Sequence, residues 1–352
     1  MFPNHAPRAA DFQIIDPFAD GAWDDQVRSY PNHSVFHTSA WARVLAEAYH
    51  HRPYYLSFLD GQSLCACLPL MEVNSRFTGK RALSLPFSDS AGAVAEAGFD
   101  VPGALLSLYS LRREKHWKYL ELRGGDFIPA DETPGTFTEH VVNLANGPDR
   151  VYQGFHPSVR RAIRKAEQSG VEVSIHDSEH AMDLFYGLQQ KTRRRHGLPP
   201  QPRKFFMSIW THVISSGMGF VSLCHYSDRV IAGAVFLWSG TRSIFKYGAS
   251  DDGDWNVRPN QILMWHSIRN LIEKGCKELN LGRSEPGNEG LVRFKHSFGS
   301  AAGNLNYGII SAVNQVPHVN IMSDPKTNKY PIQTLPLCVN RMAGTLLYPH
   351  LD

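Results

Sequence analysis

The sequence predicts an α/β (α+β) fold made of two similar halves, each a mixed, mostly antiparallel sheet flanked by helices. The chain has 352 residues, which is enough for two domains of ordinary size. Short runs of alternating apolar residues are interspersed with longer runs that have helical spacing, the pattern of strands interleaved with helices. Hydrophobic residues make up 42% and charged residues 20%, a composition typical of globular proteins.

The second half, residues 149–316, gives the clearer pattern. A helix is predicted to begin at Pro157, because proline suits the first helical position, and to end before Gly170. After it we predict a strand, two helices, three antiparallel strands, a helix, a strand, a short helix and a last strand, with approximate ranges 171–175, 178–196, 202–217, 220–226, 230–238, 242–247, 259–275, 278–281, 291–297 and 305–310.

The first half, residues 1–148, repeats part of this order: a helix, a hairpin, a strand, a helix and a strand, over 39–50, 54–59 with 63–73, 82–86, 101–116 and 119–122. The hairpin turns at Asp60 and Asp228, and the segments 119–124 and 278–283, correspond at an offset of about 160 residues, which indicates a duplicated unit. The boundary is expected near Asn146. The tail, 317–352, is expected to pack on the first domain or to lie at a membrane surface.

Bulk properties exclude several classes of protein. The net charge of +3 is too small to indicate a DNA-binding protein, and no apolar run approaches a membrane span. The start of the chain lacks the pattern of a signal peptide, so a cytoplasmic location is expected. The five cysteines lack metal-ligand spacing, so we expect reduced thiols and no metal site.

A basic segment opens the second half. Residues 151–205 contain ten Lys and Arg residues against five Asp and Glu residues. Arg160 and Arg164 lie one helical turn apart, and Arg195 and His196 end the long helix that follows. We predict that the three arginines bind substrate phosphates, from tRNA, a nucleotide or a lipid pyrophosphate, and that His196 contacts substrate, with a structural role as its alternative. The alternative is a solvated helix face with cations that suit the helix dipole.

A second candidate region is the helix start at Arg258-Pro259-Asn260. Free backbone N–H groups and the dipole attract an anion there, so Arg258 and Asn260 are predicted to bind an acyl donor. The alternative is an ordinary capped helix without a ligand.

The third region follows the strand 278–281, where a glycine-bearing loop leads into a basic, aromatic helix. Lys295 is predicted to hold the carbonyl oxygen that becomes anionic during acyl transfer, and Glu285 to act as a base or to orient an amine. Phe294, Arg293 and Arg283 are predicted to bind the donor. The alternative for the aromatic side chains of this helix is ordinary core packing.

Several segments carry a resemblance to a known family. Residues 155–166, FHPSVRRAIRKA, resemble the segment that opens the second domain of FemAB-like proteins, and 281–284, LGRS, followed by Phe294-Lys295, resembles their closing motif. Residues 84–89 and 119–124 are similar to first-domain signatures, and 335–344 resemble the subgroup found with exopolysaccharide and exosortase systems.

This resemblance implies two tandem GNAT-like acyltransferase domains, a fold that the order of elements in the second half matches. It also implies that Phe294 and Lys295 handle the charged end of an aminoacyl-tRNA. The long helical arm of staphylococcal Fem proteins has no counterpart between Gly197 and Pro202. Lys246, Tyr247 and Asp89 complete the residues expected to bind substrate.

The leading hypothesis is an N-acyltransferase that moves an aminoacyl or acyl group to an amine of a cell-envelope or exopolysaccharide precursor. Its co-substrate is either aminoacyl-tRNA or acyl-CoA, with no tightly bound cofactor. The expected partners are a small-molecule or lipid-linked amine, with tRNA and the inner face of a membrane as further candidates and no DNA. The alternative hypothesis is a non-catalytic module that binds polysaccharide or nucleic acid on the same fold.

Overall fold

The computed structural model describes residues 10–60, 63–125, 127–128, 135–311 and 330–351. The chain divides into two compact units, and each unit is assembled from separate segments. The first comprises residues 1–136, 305–318 and 349–352, and the second comprises 137–304 and 319–348.

The first part of the chain contains eight described strands and three described α-helices. In chain order they are β1 (Phe12–Ile15), α1 (Trp23–Arg28), α2 (Ser39–Tyr49), β2 (Arg52–Pro53), β3 (Tyr55–Asp60), β4 (Ser63–Leu68), β5 (Met71–Ser75), β6 (Gly79–Leu83), β7 (Val94–Ala95), α3 (Val101–Glu114) and β8 (Tyr119–Arg123).

The remaining elements follow β8 in chain order. They are β9 (Gly135–Asn143), α4 (Gly147–Gly154), α5 (Pro157–Gln168), β10 (Glu172–His176), α6 (Glu179–Arg195), α7 (Arg203–Ile209), β11 (Gly219–Tyr226), β12 (Arg229–Ser239), β13 (Arg242–Ser250), α8 (Pro259–Glu273), β14 (Glu278–Ser284), α9 (Glu289–Ser297), β15 (Ala301–Ser311), α10 (Tyr330–Thr334) and α11 (Leu337–Leu347).

Two groups of strands form the first unit. One sheet has the order β1-β3-β4-β7, and a second run of strands has the order β15-β8-β6-β5-β2, in which β6 and β8 are parallel. Helix α3 begins at Asp100, whose carboxylate accepts a hydrogen bond from the backbone N–H of Gly103. Buried Leu108, Leu111 and Trp117 belong to the apolar core of this unit.

The second unit has the strand order β10-β11-β12-β13-β14-β9. Strands β10 to β13 are antiparallel neighbours, whereas β13 and β14 run parallel. Ala232 and Ala234 of β12 belong to the core that contains the apolar side chains of α5 and α8. Gly233 faces the other way and lies against Phe185 of α6, so helices cover both faces of the sheet.

The predicted α/β class with tandem domains is confirmed, and most predicted elements occur within a few residues of their expected bounds. The helix expected over 202–217 is α7 followed by a π-helical segment, Trp210–Met218, in which Gly217 has a φ of +77°. The strand expected over 63–73 is interrupted into β4 and β5. The expected hairpin turn falls partly on residues 61–62, outside the described residues.

The C-terminal tail packs on the second unit, whereas packing on the first domain was one of the two positions expected for it. Helix α11 packs on α6, within the second unit, and of the tail residues that the structure describes only 349–351 group with the first. A close approach explains this packing: Gly344 of α11 lies directly on the backbone carbonyl of Pro200, and the Tyr348 hydroxyl donates a 3.2 Å hydrogen bond to the carbonyl of Pro199. Residues 317–329 of the tail lie outside the described residues.

Candidate active site

Two parallel strands separate in the second unit. Strands β13 and β14 pair through Arg242–Ile244 and Glu278–Asn280, and in the described second unit they share no further pair. Beyond these residues β14 continues to Ser284 and β13 to Ser250, so the facing edges of their carboxyl halves are not joined by a ladder. Ligands of open α/β sheets bind at the carboxyl ends of parallel strands, where such a gap places backbone groups within reach.

The loop from β13 to α8 is fixed by contacts of Arg195. Its guanidinium donates a 3.0 Å hydrogen bond to the carbonyl of Ser250 and lies 4.9 Å from the ring centre of Trp255. Lys191 forms a 2.9 Å ion pair with Asp251, and the hydrogen bond from Lys191 lowers the pKa of that carboxyl. Arg195 therefore orders the loop, and the substrate binding expected for it stays a prediction.

Helix α8 begins beside this loop. Arg258 precedes it in the left-handed conformation, with a φ of +60°, and its side chain is exposed. Pro259 occupies the first turn, and the amide of Asn260 lies 3.5 Å from the Ser250 hydroxyl. A 15-residue helix that starts with an exposed arginine offers both a dipole and a full positive charge to an anion.

A β-bulge shapes the end of β14. Asn280 pairs with Val141 of β9 and Arg283 pairs with Glu139, so two residues of β14 lie opposite the single residue His140. Gly282 occupies the bulge with a φ of +77°, a conformation that costs glycine little. The Asn280 side chain holds this geometry, since it accepts a 2.7 Å hydrogen bond from the Gly282 N–H and donates a 2.6 Å bond to Glu139.

Lys295 of α9 holds the same bulge from the other side. Its ammonium group donates 2.8 Å hydrogen bonds to the carbonyl oxygens of Gly282 and Arg283, and the residue is only 3% exposed. These contacts make Lys295 a positioning residue for the end of β14. Two of the ammonium hydrogens are directed at backbone carbonyls, and the oxyanion contact expected for Lys295 stays a prediction.

Some neighbours of Lys295 pack against other side chains, and others are exposed at the surface. Phe294 is half-buried and packs edge-on against Phe298, 5.2 Å away, so both belong to the core. The Arg283 guanidinium lies 4.5 Å from the ring centre of Phe137. Arg293 is exposed on α9, and Glu285 is partly exposed directly after β14. The last two side chains are therefore accessible to a substrate.

Four other predicted residues lie on β13 and α5. Lys246 and Tyr247 lie on the separated half of β13, where the tyrosine ring packs on Phe206 at 5.2 Å. Arg160 and Arg164 lie on α5, where Arg160 donates a 3.4 Å bond to the carbonyl of Gln153.

Two further residues complete the expected set. His196 is exposed at the end of α6. Asp89 belongs to the first unit, where its carbonyl accepts a 2.6 Å hydrogen bond from Tyr307.

His140 is a residue that the sequence analysis missed. It is completely buried on β9, and its ring contacts His296 edge-on at 5.0 Å. Burial, followed by the neighbouring charges of Lys295 and His296, lowers its pKa to about 4. The surrounding sequence, TFTEHVVN, carries no motif that would single out this histidine, and only the pairing of β9 with β14 brings it to Lys295.

Metal sites and membrane-spanning helices are both absent from the described residues. They contain no group of three or more His, Cys, Asp or Glu side chains arranged to hold a metal ion. None of the helices in the described ranges combines the length and apolarity needed to cross a bilayer. The cysteines that the structure describes carry free thiols, four of them buried or partly buried and Cys338 exposed.

Comparison with known proteins agrees with this geometry. Residues 154–296 match the family described as the acetyltransferase (GNAT) domain, which is less than half of the chain. No curated protein matches the sequence. The crystal structure of FemX aligns with a TM-score of 0.66 at 13% identity, covering 84% of this chain and 96% of that chain.

Two further solved structures align over similar lengths. A tandem GNAT protein from the clavulanic acid biosynthesis pathway has a TM-score of 0.56 at 10% identity, covering 87% of this chain and 99% of that one. L-PGS from Bacillus licheniformis has a TM-score of 0.53 at 10% identity, covering 98% and 99%. At these identities the likeness shows the fold, which is that of tandem GNAT domains.

Proposed function

We propose that this chain is an N-acyltransferase whose active site is the gap between the carboxyl halves of β13 and β14. The observation that carries the proposal is that the two parallel strands pair over three residues and then separate, beside the start of α8. The match of residues 154–296 to a GNAT acetyltransferase domain supports it. The donor is an acyl-CoA thioester or an aminoacyl-tRNA ester, and the acceptor is an amine of a cell-envelope or exopolysaccharide precursor.

The donor phosphate binds at the start of α8, where Arg258 and the first-turn N–H groups face an anion. The reacting carbonyl then lies in the gap, and backbone N–H groups on the facing strand edges stabilise the oxygen as it becomes negative. Lys295 keeps the β14 edge in place through its bonds to Gly282 and Arg283. Alignment of donor and acceptor supplies much of the rate in such a reaction.

The chemical step is a direct transfer. The amine nitrogen forms a bond to the carbonyl carbon, the carbon–sulfur or carbon–oxygen bond breaks, and the leaving group departs as a thiol or a hydroxyl. Glu285, at the end of β14, accepts a proton from the attacking amine and returns it to the leaving group. No covalent intermediate with the protein is required.

A panel assay tests this proposal. Acetyl-CoA, palmitoyl-CoA and alanyl-tRNA are each incubated with glucosamine, UDP-glucosamine or a lysine-containing peptide, and amide products are measured by mass spectrometry. We expect one donor class to give an amide product. Absence of product with every pair, together with tight binding of a polysaccharide or nucleic acid, would support a non-catalytic module instead.

The place of the donor is tested with a matched pair of arginine variants. Arg258→Ala is expected to raise the donor KM about tenfold to a hundredfold, because a hydrogen bond to a charged group contributes about 1.5–3 kcal/mol. Arg269→Ala removes another exposed arginine of the same helix, far from its start, and is expected to leave KM unchanged. Equal effects of the two variants on the donor KM would show that the donor does not bind at the start of α8.

The tail supports a lipid-linked acceptor at a membrane surface. Helix α11 exposes Val339, Met342 and Leu346, three apolar side chains at the spacing of one helix face, and its only charged residue is Arg341. Sedimentation with vesicles of anionic phospholipid is the test. The double variant Met342→Ser, Leu346→Ser is expected to stay in the supernatant, and its cosedimentation at the wild-type level would refute the contact.

A further inference from the structure

Two buried polar side chains near the end of β14 lack a hydrogen-bond partner. Neither ring nitrogen of His140 is hydrogen-bonded to any described residue, and the ring has 0% exposure. The Ser284 hydroxyl also lacks a partner in the described part of the chain, and Ser284 is 1% exposed. Buried polar groups are nearly always hydrogen-bonded in native proteins, so each of these two requires an explanation.

Strand pairing puts both side chains on the same face of the sheet. Ser284 lies directly opposite Thr138 on β9, and opposed residues of an antiparallel pair point to the same side. His140 is two residues from Thr138 and therefore shares that side. The side is covered by α9, whose His296 ring contacts His140 and whose Lys295 holds the intervening bulge.

Unsatisfied groups in this position oppose folding. Each one costs about 1–3 kcal/mol relative to a hydrogen-bonded group, whereas an apolar residue of similar shape would cost little. The bulge cannot move to satisfy them, because Asn280 and Lys295 fix Gly282 from two directions. Unsatisfied polar groups beside a rigid part of the backbone are typical of binding sites, where the ligand supplies the missing hydrogen-bond partner.

The charge state of the histidine defines the ligand chemistry. With a pKa lowered to about 4, the imidazole is neutral at physiological pH and has one N–H donor and one acceptor nitrogen. The Lys295 ammonium is close enough to disfavour a second positive charge on His140 and would repel a cationic ligand in the same way. A cation is therefore disfavoured, and an uncharged group that presents both a donor and an acceptor can pair with both side chains.

We propose that His140 and Ser284 form a buried binding site for an uncharged hydroxyl or amide group of a substrate. Amides and hydroxyls both combine a hydrogen-bond donor with an acceptor, which a neutral imidazole and a serine hydroxyl match together. The site rests on the proposed acyl transfer, because the group bound here belongs to a substrate that enters beside β14. It assigns specificity to His140, which no motif identifies, and to Ser284, the last residue of the LGRS segment.

The test combines stability with turnover in the full-length protein. His140→Phe and Ser284→Ala remove the polar groups with little change of shape, and Ser208→Ala removes another buried, unpartnered hydroxyl on α7 as a matched control. Unfolding is followed in urea without substrate, and kcat/KM is measured with the best donor–amine pair of the panel above. We expect His140→Phe and Ser284→Ala to be at least as stable as the wild type, with kcat/KM lowered about tenfold or more. Ser208→Ala is expected to retain the wild-type kcat/KM.

Each contrary result has a distinct meaning. Unchanged kcat/KM with equal or greater stability overturns the site. Reduced stability with unchanged kcat/KM also overturns it, because the two groups then bind a structural water. A wild-type protein that makes no amide with any pair refutes the proposed function and the site with it, whereas wild-type turnover that survives both substitutions refutes the site alone.

Discussion

Lys295 is a buried cation whose described contacts are carbonyl oxygens. Replacing it in Lys295→Met keeps the length of the side chain but leaves the carbonyls of Gly282 and Arg283 without this donor. We expect the free energy of unfolding to fall by about 1–3 kcal/mol, the cost of leaving buried polar groups unsatisfied. Urea denaturation measures it, with Lys165→Met on the exposed face of α5 as the control, expected within about 0.5 kcal/mol of wild type.

His140 gives a second prediction at this scale, on the dependence of stability on pH. Its pKa is about 4 in the folded chain and about 6.5 when exposed, so the unfolded state binds the extra proton between these values. Stability therefore falls as the pH decreases from about 6.5 towards 4. His140→Phe should lose less stability than the wild type between pH 7 and pH 4.5. Urea titrations at the two pH values measure both losses. If His140→Phe and the wild type lost the same stability between pH 7 and pH 4.5, the buried, neutral imidazole would be contradicted.

The residues of the site differ in how far the sequence could identify them. Arg258 and Glu285 are accessible side chains at element ends, where sequence patterns are informative, and Arg293 is exposed in the middle of α9. The true contacts of Lys295 and Arg195 could not be predicted, because both bind backbone carbonyls that tertiary folding brings to them. His140 was missed for the same reason, since its environment consists of β14 and α9, far along the chain.

At the scale of elements, local signals were sufficient for helices. Pro259 marks the start of α8, and Ser178 caps α6 with a hydrogen bond from the N–H of Ala181. Strand β9 was not predicted, because its sequence mixes polar and apolar residues and its pairing partner β14 lies about 140 residues away. Long-range pairing, rather than local propensity, decides such a strand.

Helix α11 provides the prediction for this scale. A Cβ atom at Gly344 would overlap the backbone carbonyl of Pro200, which cannot rotate aside as a side chain could. Gly344→Ala is therefore expected to destabilise the protein by about 1–3 kcal/mol, despite the greater helix propensity of alanine. The midpoint of urea unfolding and the rate of proteolysis near α11 measure the effect.

A second helical glycine serves as the control. Gly187 of α6 has open space where a Cβ would lie, so Gly187→Ala should leave stability unchanged or raise it by about 1 kcal/mol. If Gly344→Ala were also neutral, α11 would not be held by its approach to Pro200.

At the scale of the whole molecule, the sequence predicted a tandem α/β protein correctly because the duplicated order of elements extends over both halves. The expected division near residues 148 and 316 differs from the compact units, which divide after residues 136 and 304 and again at 348. The sequence does not reveal which separate segments group into one unit, because each segment has an ordinary apolar pattern. The position of α11 on α6 involves the close approach of Gly344 to Pro200 and the hydrogen bond from Tyr348 to Pro199, which the local sequence does not show.

The central claim is that an acyl donor binds between β13 and β14 at the start of α8. Hydrogen exchange of backbone amides, followed by mass spectrometry with and without acetyl-CoA or alanyl-tRNA, tests it most directly. We predict that one of these donors slows exchange in residues 245–250 and 260–262, with little change in β10 or β11. Exchange that neither donor slows in these two segments would contradict the account.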